Sequence, residues 1–321
     1  MVRSMLTRVF YTTDLHGSEK TFVKFLNAAR TYQPHVMIMG GDMTGKMIVP
    51  IVKQPDGSYR AKLLGNYVTA RANDDLEKLE FAIRYNGFYP YHSNPSEMEE
   101  LNKNPRLVEE LFKRVMTQTL ERWLQVANDR LRGLNIKCLI TPGNDDSFAI
   151  DEVLNSSNTV INPEGKVVWI DDHHEMISTG FSNPTPFDSP REVPEEDLEK
   201  RIEKMASQVK NMKNCIFNFH CPPYNSGLDM APKLDAELKP VITLGTGMET
   251  IPVGSTAVRR MIEKYQPLMG LHGHIHEARG DAKIGRTVCY NPGSEYGEGI
   301  LRGVIINIDE KGIKSRLFVS G

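Results

Sequence analysis

Three histidines alternate in Gly270-Leu271-His272-Gly273-His274-Ile275-His276, and alternation puts side chains of an extended chain on one face. Neutral imidazole is the commonest nitrogen ligand of divalent metals. A lone His-x-His can equally decorate an exposed strand, so its company decides. Asp14 and His16 in Thr13-Asp14-Leu15-His16-Gly17, Asp42 in Gly40-Gly41-Asp42, Asn144-Asp145-Asp146 and His220 each follow a short apolar run. Ligand sites of open α/β sheets collect at the carboxyl ends of strands. Asp14, His16, Asp42, Asn144, His220, His274 and His276 offer nitrogen and oxygen donors without a thiolate. That set suits two metals sharing a central carboxylate and argues against a structural zinc site.

The elements that would position these residues can be traced along the chain. Arg8 to Thr12 reads as a strand, Ser18 caps a helix carrying Phe22, Phe25, Leu26, Ala29 and Tyr32, and Val36 to Met39 reads as a parallel strand covered on both faces. Roughly ninety residues then intervene before the next core strand, too many for a plain connection. Met47 to Lys53 and Ser58 to Leu64 read as a hairpin around Pro55-Asp56-Gly57, Asp74 to Tyr85 as a helix stopped by Gly87, and Asn104-Pro105 as the start of a helix about 40 Å long. Residues 43–134 are therefore expected to form an inserted cap over the strand tips, with Tyr85, Phe88, Tyr89, Tyr91 and His92 as an aromatic link that packs its helices. Residues 1–42 and 135–321 form the core.

Within that core, Lys137 to Thr141, Cys215 to Phe219 and Leu268 to Leu271 are strands that lead into the polar tips. Val167 to Ile170 and Met176 to Thr179 pair around Asp171-Asp172-His173-His174, which is expected to be a solvated turn. Helices follow Pro194 and Ser255, residues 221–254 form a long functional loop, and Val288 to Tyr290, Gly303 to Ile308 and Ile313 to Val319 complete the sheet.

The chain has 321 residues, with Lys+Arg 39 against Asp+Glu 41, and no like-charge run, so a nucleic-acid partner is not indicated. Cys138, Cys215, Cys221 and Cys289 are scattered and read as buried free thiols of a reducing compartment. No apolar run approaches the ~18 residues of a membrane span, and the expected location is cytoplasmic.

The set of tips resembles the calcineurin-like metallophosphoesterase family, whose pattern is D-x-H, G-D, G-N-H-[DE], H and G-H-x-H, in that order. The tail His272 to Glu277 followed by Asn291-Pro292-Gly293-Ser294 is similar to the cyclic-nucleotide-phosphodiesterase-like branch. The resemblance implies a four-layer α/β/β/α sandwich holding two divalent ions such as manganese, iron or zinc. It places Asp14, His16 and His276 on one ion, Asn144, His220 and His274 on the other, and Asp42 between them. His272 is expected to support these ligands, and Glu277, Ser294 and Glu295 are weaker candidates for the same work. A metal-bound water would attack a small phosphate ester, a nucleotide among the candidates, and relatives are often homodimers.

One position departs from the pattern. Asp145 stands where the family has a histidine that stabilises phosphate charge, while Asp146 matches the acidic residue that follows. An ionised Asp145 would repel phosphate, by about 4 kcal/mol for a unit charge at 4 Å and an effective dielectric constant near 20. A dianionic monoester suffers more than a monoanionic diester. The expected activity is therefore phosphodiester hydrolysis, with Asp145 and Asp146 as candidate catalytic side chains. A phosphomonoesterase of nucleotides or proteins, and a non-catalytic metal-binding scaffold, are the alternatives.

Overall fold

The computed structural model describes residues 6–243 and 247–321. Strand β1 (Thr7–Thr12), helix α1 (Glu19–Thr31) and parallel strand β2 (Val36–Met39) form the expected opening unit. Period-two alternation explains why both strands are apolar throughout: Val9, Tyr11, Val36 and Ile38 face a second sheet, while Phe10, Met37 and Met39 face α1.

The chain then leaves this sheet. Strands β3 (Ile48–Lys53) and β4 (Tyr59–Leu63) make the expected hairpin, β5 (Asn66–Ala70) extends it, and helix α2 (Asn73–Tyr85) leads to β6 (Tyr89–Ser93), parallel to β3. Much of the expected aromatic link is thus a strand. Val49, Ile51, Ala61, Ala70, Leu79 and Ile83 close a small separate core. Helix α3 (Pro95–Lys103) is additional, and Asn94 caps it by accepting from the Glu97 N–H at 3.0 Å. Asn104, expected to cap α4 (Pro105–Leu131), makes no such bond.

Helix α4 also reaches beyond the expected cap. From Met116 onward it buries Met116, Leu120, Trp123, Leu124, Ala127 and Leu131 in the main core, and Trp123 stacks on Phe22 with ring centroids 4.2 Å apart. Its apolar stripe is long because two partners share it.

Strand β7 (Lys137–Ile140), helix α5 (Ile150–Asn155) and β8 (Val160–Ile161) complete one edge of the first sheet. The second sheet begins with antiparallel β9 (Val167–Trp169) and β10 (Glu175–Thr179), followed by α6 (Glu195–Ala206) and β11 (Ile216–Phe219). The long loop contains β12 (Met230–Pro232), β13 (Ile242–Thr243), β14 (Gly247–Met248) and β15 (Thr250–Pro252). Helix α7 (Thr256–Tyr265), β16 (Met269–Leu271), β17 (Gly280–Ile284), β18 (Thr287–Asn291), β19 (Arg302–Asp309) and β20 (Gly312–Ser320) follow.

The first sheet runs β20-β19-β1-β2-β7-β8 and the second β17-β18-β16-β11-β10-β9. Their facing surfaces meet through residues such as Tyr11, Ile38, Leu139, Met176, Ile216 and Tyr290. Helices α1, α4 and α5 cover the outer face of the first sheet, and α6 and α7 that of the second. The result is the four-layer α/β/β/α sandwich.

Two expected loops are more ordered than their composition implies. His174 is fully buried rather than solvated, its ring lying 2.8 Å from the Asp171 carboxylate and 3.2 Å from the Asp309 carbonyl oxygen. In the long loop, buried Asp229 accepts from the N–H groups of Asn225, Ser226, Gly227 and Gly254. One carboxylate satisfies four backbone donors, which is what lets this polar segment pack. The four cysteines are buried and free, and burial pushes their thiols up to about 12.

Candidate metal centre

Backbone pairing continues past the strand ends and fixes the tips against each other. The N–H of Asp14 donates to the Gly41 oxygen, that of His16 to the Asp42 oxygen, and that of Gly273 to the His220 oxygen, each at 2.9 Å. Asp14, His16, Asp42 and His274 all adopt left-handed backbone, with φ of 55°, 41°, 49° and 67°. Such φ values are uncommon outside glycine and mark stored strain at functional sites. Gly143 is required for close approach, since a Cβ there would stand 2.1 Å from Asp42 Oδ1. The N–H of Asp145 thereby donates to Asp42 Oδ1 at 3.0 Å.

The alternating histidines do not share one extended face. Strand β16 ends at Leu271, and the turn at His274 separates their directions. His272 Nδ1–H points back into the protein and donates to the Phe219 carbonyl oxygen at 2.8 Å, bracing the end of β11. Burial lowers its pKa to about 4, which keeps the ring neutral. His274 and His276 enter the site.

The ligand atoms of Asp14, His16 and His276 lie within 4.8 Å of one another, as do those of Asp42, His220 and His274. His16 Nε2 is 3.1 Å from His276 Nε2, and His220 Nε2 is 3.3 Å from Asp42 Oδ2 and 3.7 Å from Asp14 Oδ1. The ring of His220 donates through Nδ1–H to the Gly40 oxygen at 2.9 Å, which leaves Nε2 facing the carboxylates. That Nε2 and Asn144 Oδ1 are buried without a hydrogen-bond partner. Buried polar atoms left unpaired are costly, and coordination to a cation would satisfy each of them. The donor set therefore fits divalent metals.

The electrostatics make the same demand. Burial opposes ionisation of Asp14 and Asp42, yet His220 holds Asp14 at about 2 and Asp42 well below the usual carboxylate range. Burial likewise opposes a charged His220, but Asp42 and Asp14 raise it to about 10. Burial, joined by His220, lowers His274 to about 4. The two buried carboxylates draw a positive charge onto His220, which marks the site as a pocket for positive charge.

Asp146 does not face this pocket. Its buried carboxylate accepts from the N–H groups of Gly143, Met43 and Thr44 and from Thr44 Oγ1, so it clamps the two loops instead of meeting a substrate. Asp145 does face it, with Oδ2 4.0 Å from His16 Nδ1. It is not the bare charge expected: Lys46 forms an ion pair with it, and Ser189 Oγ donates to Oδ1 at 2.6 Å. Ser294 supports the tips as anticipated, donating to the Asp14 carbonyl oxygen at 2.7 Å.

Neither residue type nor spacing singles out Lys46, Ser189 and Tyr296. Tyr296 lies against both His16 and His276, with ring centroids 4.7 and 5.8 Å away. The available signals were slight: Gly45-Lys46 closely follows Asp42, and Tyr296 follows the Pro292-Gly293-Ser294 turn.

The family model for calcineurin-like phosphoesterases matches residues 7–278, which takes in every tip described above. The chain belongs to that family. That family comprises hydrolases of phosphoric esters and typically binds divalent metals. It is 35% identical over 159 residues to an uncharacterised protein of Methanocaldococcus jannaschii, a match covering 49% of this chain and 64% of that relative. Among solved structures, one is 16% identical with a TM-score of 0.56 and one from Thermus thermophilus is 12% identical with a TM-score of 0.52. Both matches cover 99% of each chain, and they share the fold.

Proposed function

We propose that this phosphoesterase is a dinuclear metal-dependent phosphodiesterase. The observation carrying the proposal is the meeting of two ligand groups, Asp14, His16 and His276 with Asp42, His220 and His274, at the tips of two facing sheets. The first group would hold one ion, Asn144, His220 and His274 the other, and Asp42 would lie between them. Nitrogen and oxygen donors without thiolate suit manganese, iron or zinc. Bound there, the cations supply Lewis acidity toward phosphate oxygens and lower the pKa of a water near the ester.

The protein's own residues orient this chemistry. Gly40 selects the His220 tautomer, Asp146 fixes the loop carrying Asn144 and Asp145, and Ser294 fixes the backbone at Asp14. Diesters are favoured on two grounds. The Lys46 ammonium is balanced by Asp145, so the mouth has no surplus charge suited to a dianion. A cavity of about 450 Å³ beside His276, lined by Arg279, Ser294, Tyr296 and Arg302 among others, offers space for a second ester substituent.

The test compares hydrolysis of bis-p-nitrophenyl phosphate and p-nitrophenyl phosphate by metal-free and manganese-loaded protein, with Asp42→Ala as blank. Metal-dependent diester cleavage absent from Asp42→Ala is expected. Preference for the monoester overturns the substrate class and leaves the centre standing, whereas inactivity toward both overturns the enzymatic reading in favour of a scaffold.

A further inference from the structure

Lys46 belongs to no secondary-structure element, yet the three residues before it are tied to the rest of the fold. The N–H groups of Met43 and Thr44 donate to Asp146, and that of Gly45 donates to Tyr89 Oη at 2.7 Å. Gly45 is packed so tightly that a Cβ would stand 2.2 Å from the Gly87 carbonyl oxygen. The lysine side chain leaves this fixed point half exposed, while its partner Asp145 is mostly covered.

An ordinary surface ion pair joins two mobile side chains and contributes little. Here the acidic partner is immobilised from three directions. Asp145 is bonded through its N–H to Asp42 and through Oδ1 to Ser189 Oγ and Asn144 Nδ2. A carboxylate oxygen of Asp145 also lies within 4.8 Å of the ligand atoms of His16 and Asp42. The ammonium paired to it is therefore stationed at the rim of the centre, within electrostatic reach of Asp42, His16 and Tyr296. Lysine carries three donors, and one carboxylate does not exhaust them.

Resting on the metallophosphoesterase reading, we propose that Lys46, aimed by Asp145, binds a non-bridging oxygen of the substrate's phosphate group. Lys46 is then a substrate-binding residue supplied by the segment that leads into the insertion, and Asp145 is its positioning residue. Separating charge from carboxylate has a consequence: removal of the lysine alone leaves a negative group facing the incoming anion, which is worse than removal of both.

The experiment uses manganese-loaded wild type, Lys46→Met, Lys46→Arg, Asp145→Asn and the double variant Lys46→Met/Asp145→Asn. Measured are KM and kcat for bis-p-nitrophenyl phosphate, the inhibition constant and calorimetric affinity of inorganic phosphate, and bound manganese per chain. Lys46→Met is expected to weaken phosphate binding and raise KM about tenfold, as for loss of one charge-assisted hydrogen bond, with a smaller change in kcat and full metal content. Lys46→Arg should remain within about threefold of wild type, and the double variant should bind phosphate better than Lys46→Met. The half-exposed side chain makes Lys46→Met a mild change for folding.

Phosphate binding and KM of Lys46→Met within about twofold of wild type would sink the proposal, as would loss of manganese from that variant. If the wild type cleaves neither ester, the enzymatic reading fails separately. Calorimetry of phosphate on wild type and Lys46→Met still decides the role of Lys46.

Discussion

The strand tips and the inserted segment solve the same problem of holding side chains in place by different means. The tips rest on largely buried parallel strands and place six candidate ligand side chains within a few ångströms. The insertion builds its own small core and delivers one cation, Lys46, on a loop tied down by Asp146 and Tyr89. Rigidity comes from packing in one case and from backbone hydrogen bonds to single side chains in the other. A centre of packed ligands fails as a unit, whereas a tethered loop can be released alone.

The sharpest test of that contrast is Asp42→Ala, which removes the carboxylate proposed to lie between the two ions. Activity should fall at least about a thousandfold, with loss of bound metal by elemental analysis. Retained metal with lost activity would show that the other ligands suffice to bind. On the packing side, Trp123→Ala empties the stack on Phe22 and should cost about 3–5 kcal/mol in chemical denaturation. A loss confined to the inserted sheet by hydrogen exchange would mean that α4 belongs to the insertion after all.

Asp146→Ala should release residues 43–46 and loosen the loop of Asn144 while leaving the other six candidate ligands in place. The expected result is a tenfold to hundredfold drop in kcat/KM with metal content kept, comparable to losing a supporting bond behind a ligand. A loss as large as that of Asp42→Ala would contradict the separation between loop and centre.

The smallest effect concerns a buried acid outside the centre. Burial raises Glu164 to about 7, although the Gly180 N–H and Thr179 hydroxyl donate to it. With its folded pKa above the unfolded value, its stabilising contribution is complete below pH 4.5 and is lost as pH rises through about 7. Stability should therefore decline between pH 5 and 6 by at most about 1.4 kcal/mol from this group, and Glu164→Gln should flatten that slope in thermal melts. An unchanged slope would remove Glu164 from the account.

The parts of the molecule legible in the sequence are those specified locally. Val36 to Met39 ending in Gly40-Gly41-Asp42 announces both a buried strand and its polar tip, and the other core tips follow the same logic. Strand β5 is hidden because four of its five residues are exposed, leaving no alternation to read. Strand β6 is masked by Pro90 and its aromatic neighbours. His272 illustrates a subtler failure: the alternation is real, but left-handed backbone at His274 redirects it. Lys46 is silent because its meaning depends on Asp145 and Asp146, roughly a hundred residues away, a pairing that only tertiary structure creates.

The left-handed residues at the tips also limit how this protein can change. Glycine at position 14 or 42 would ease the backbone but delete a candidate ligand, whereas a longer acid such as glutamate keeps the charge and loses the fit to φ near 50°. Asparagine alone combines tolerance of that conformation with an oxygen donor, so each aspartate has a single conservative neighbour in sequence space. Laboratory evolution toward a different metal would therefore find its foothold more readily at Asn144 or His220, where no left-handed backbone narrows the choice.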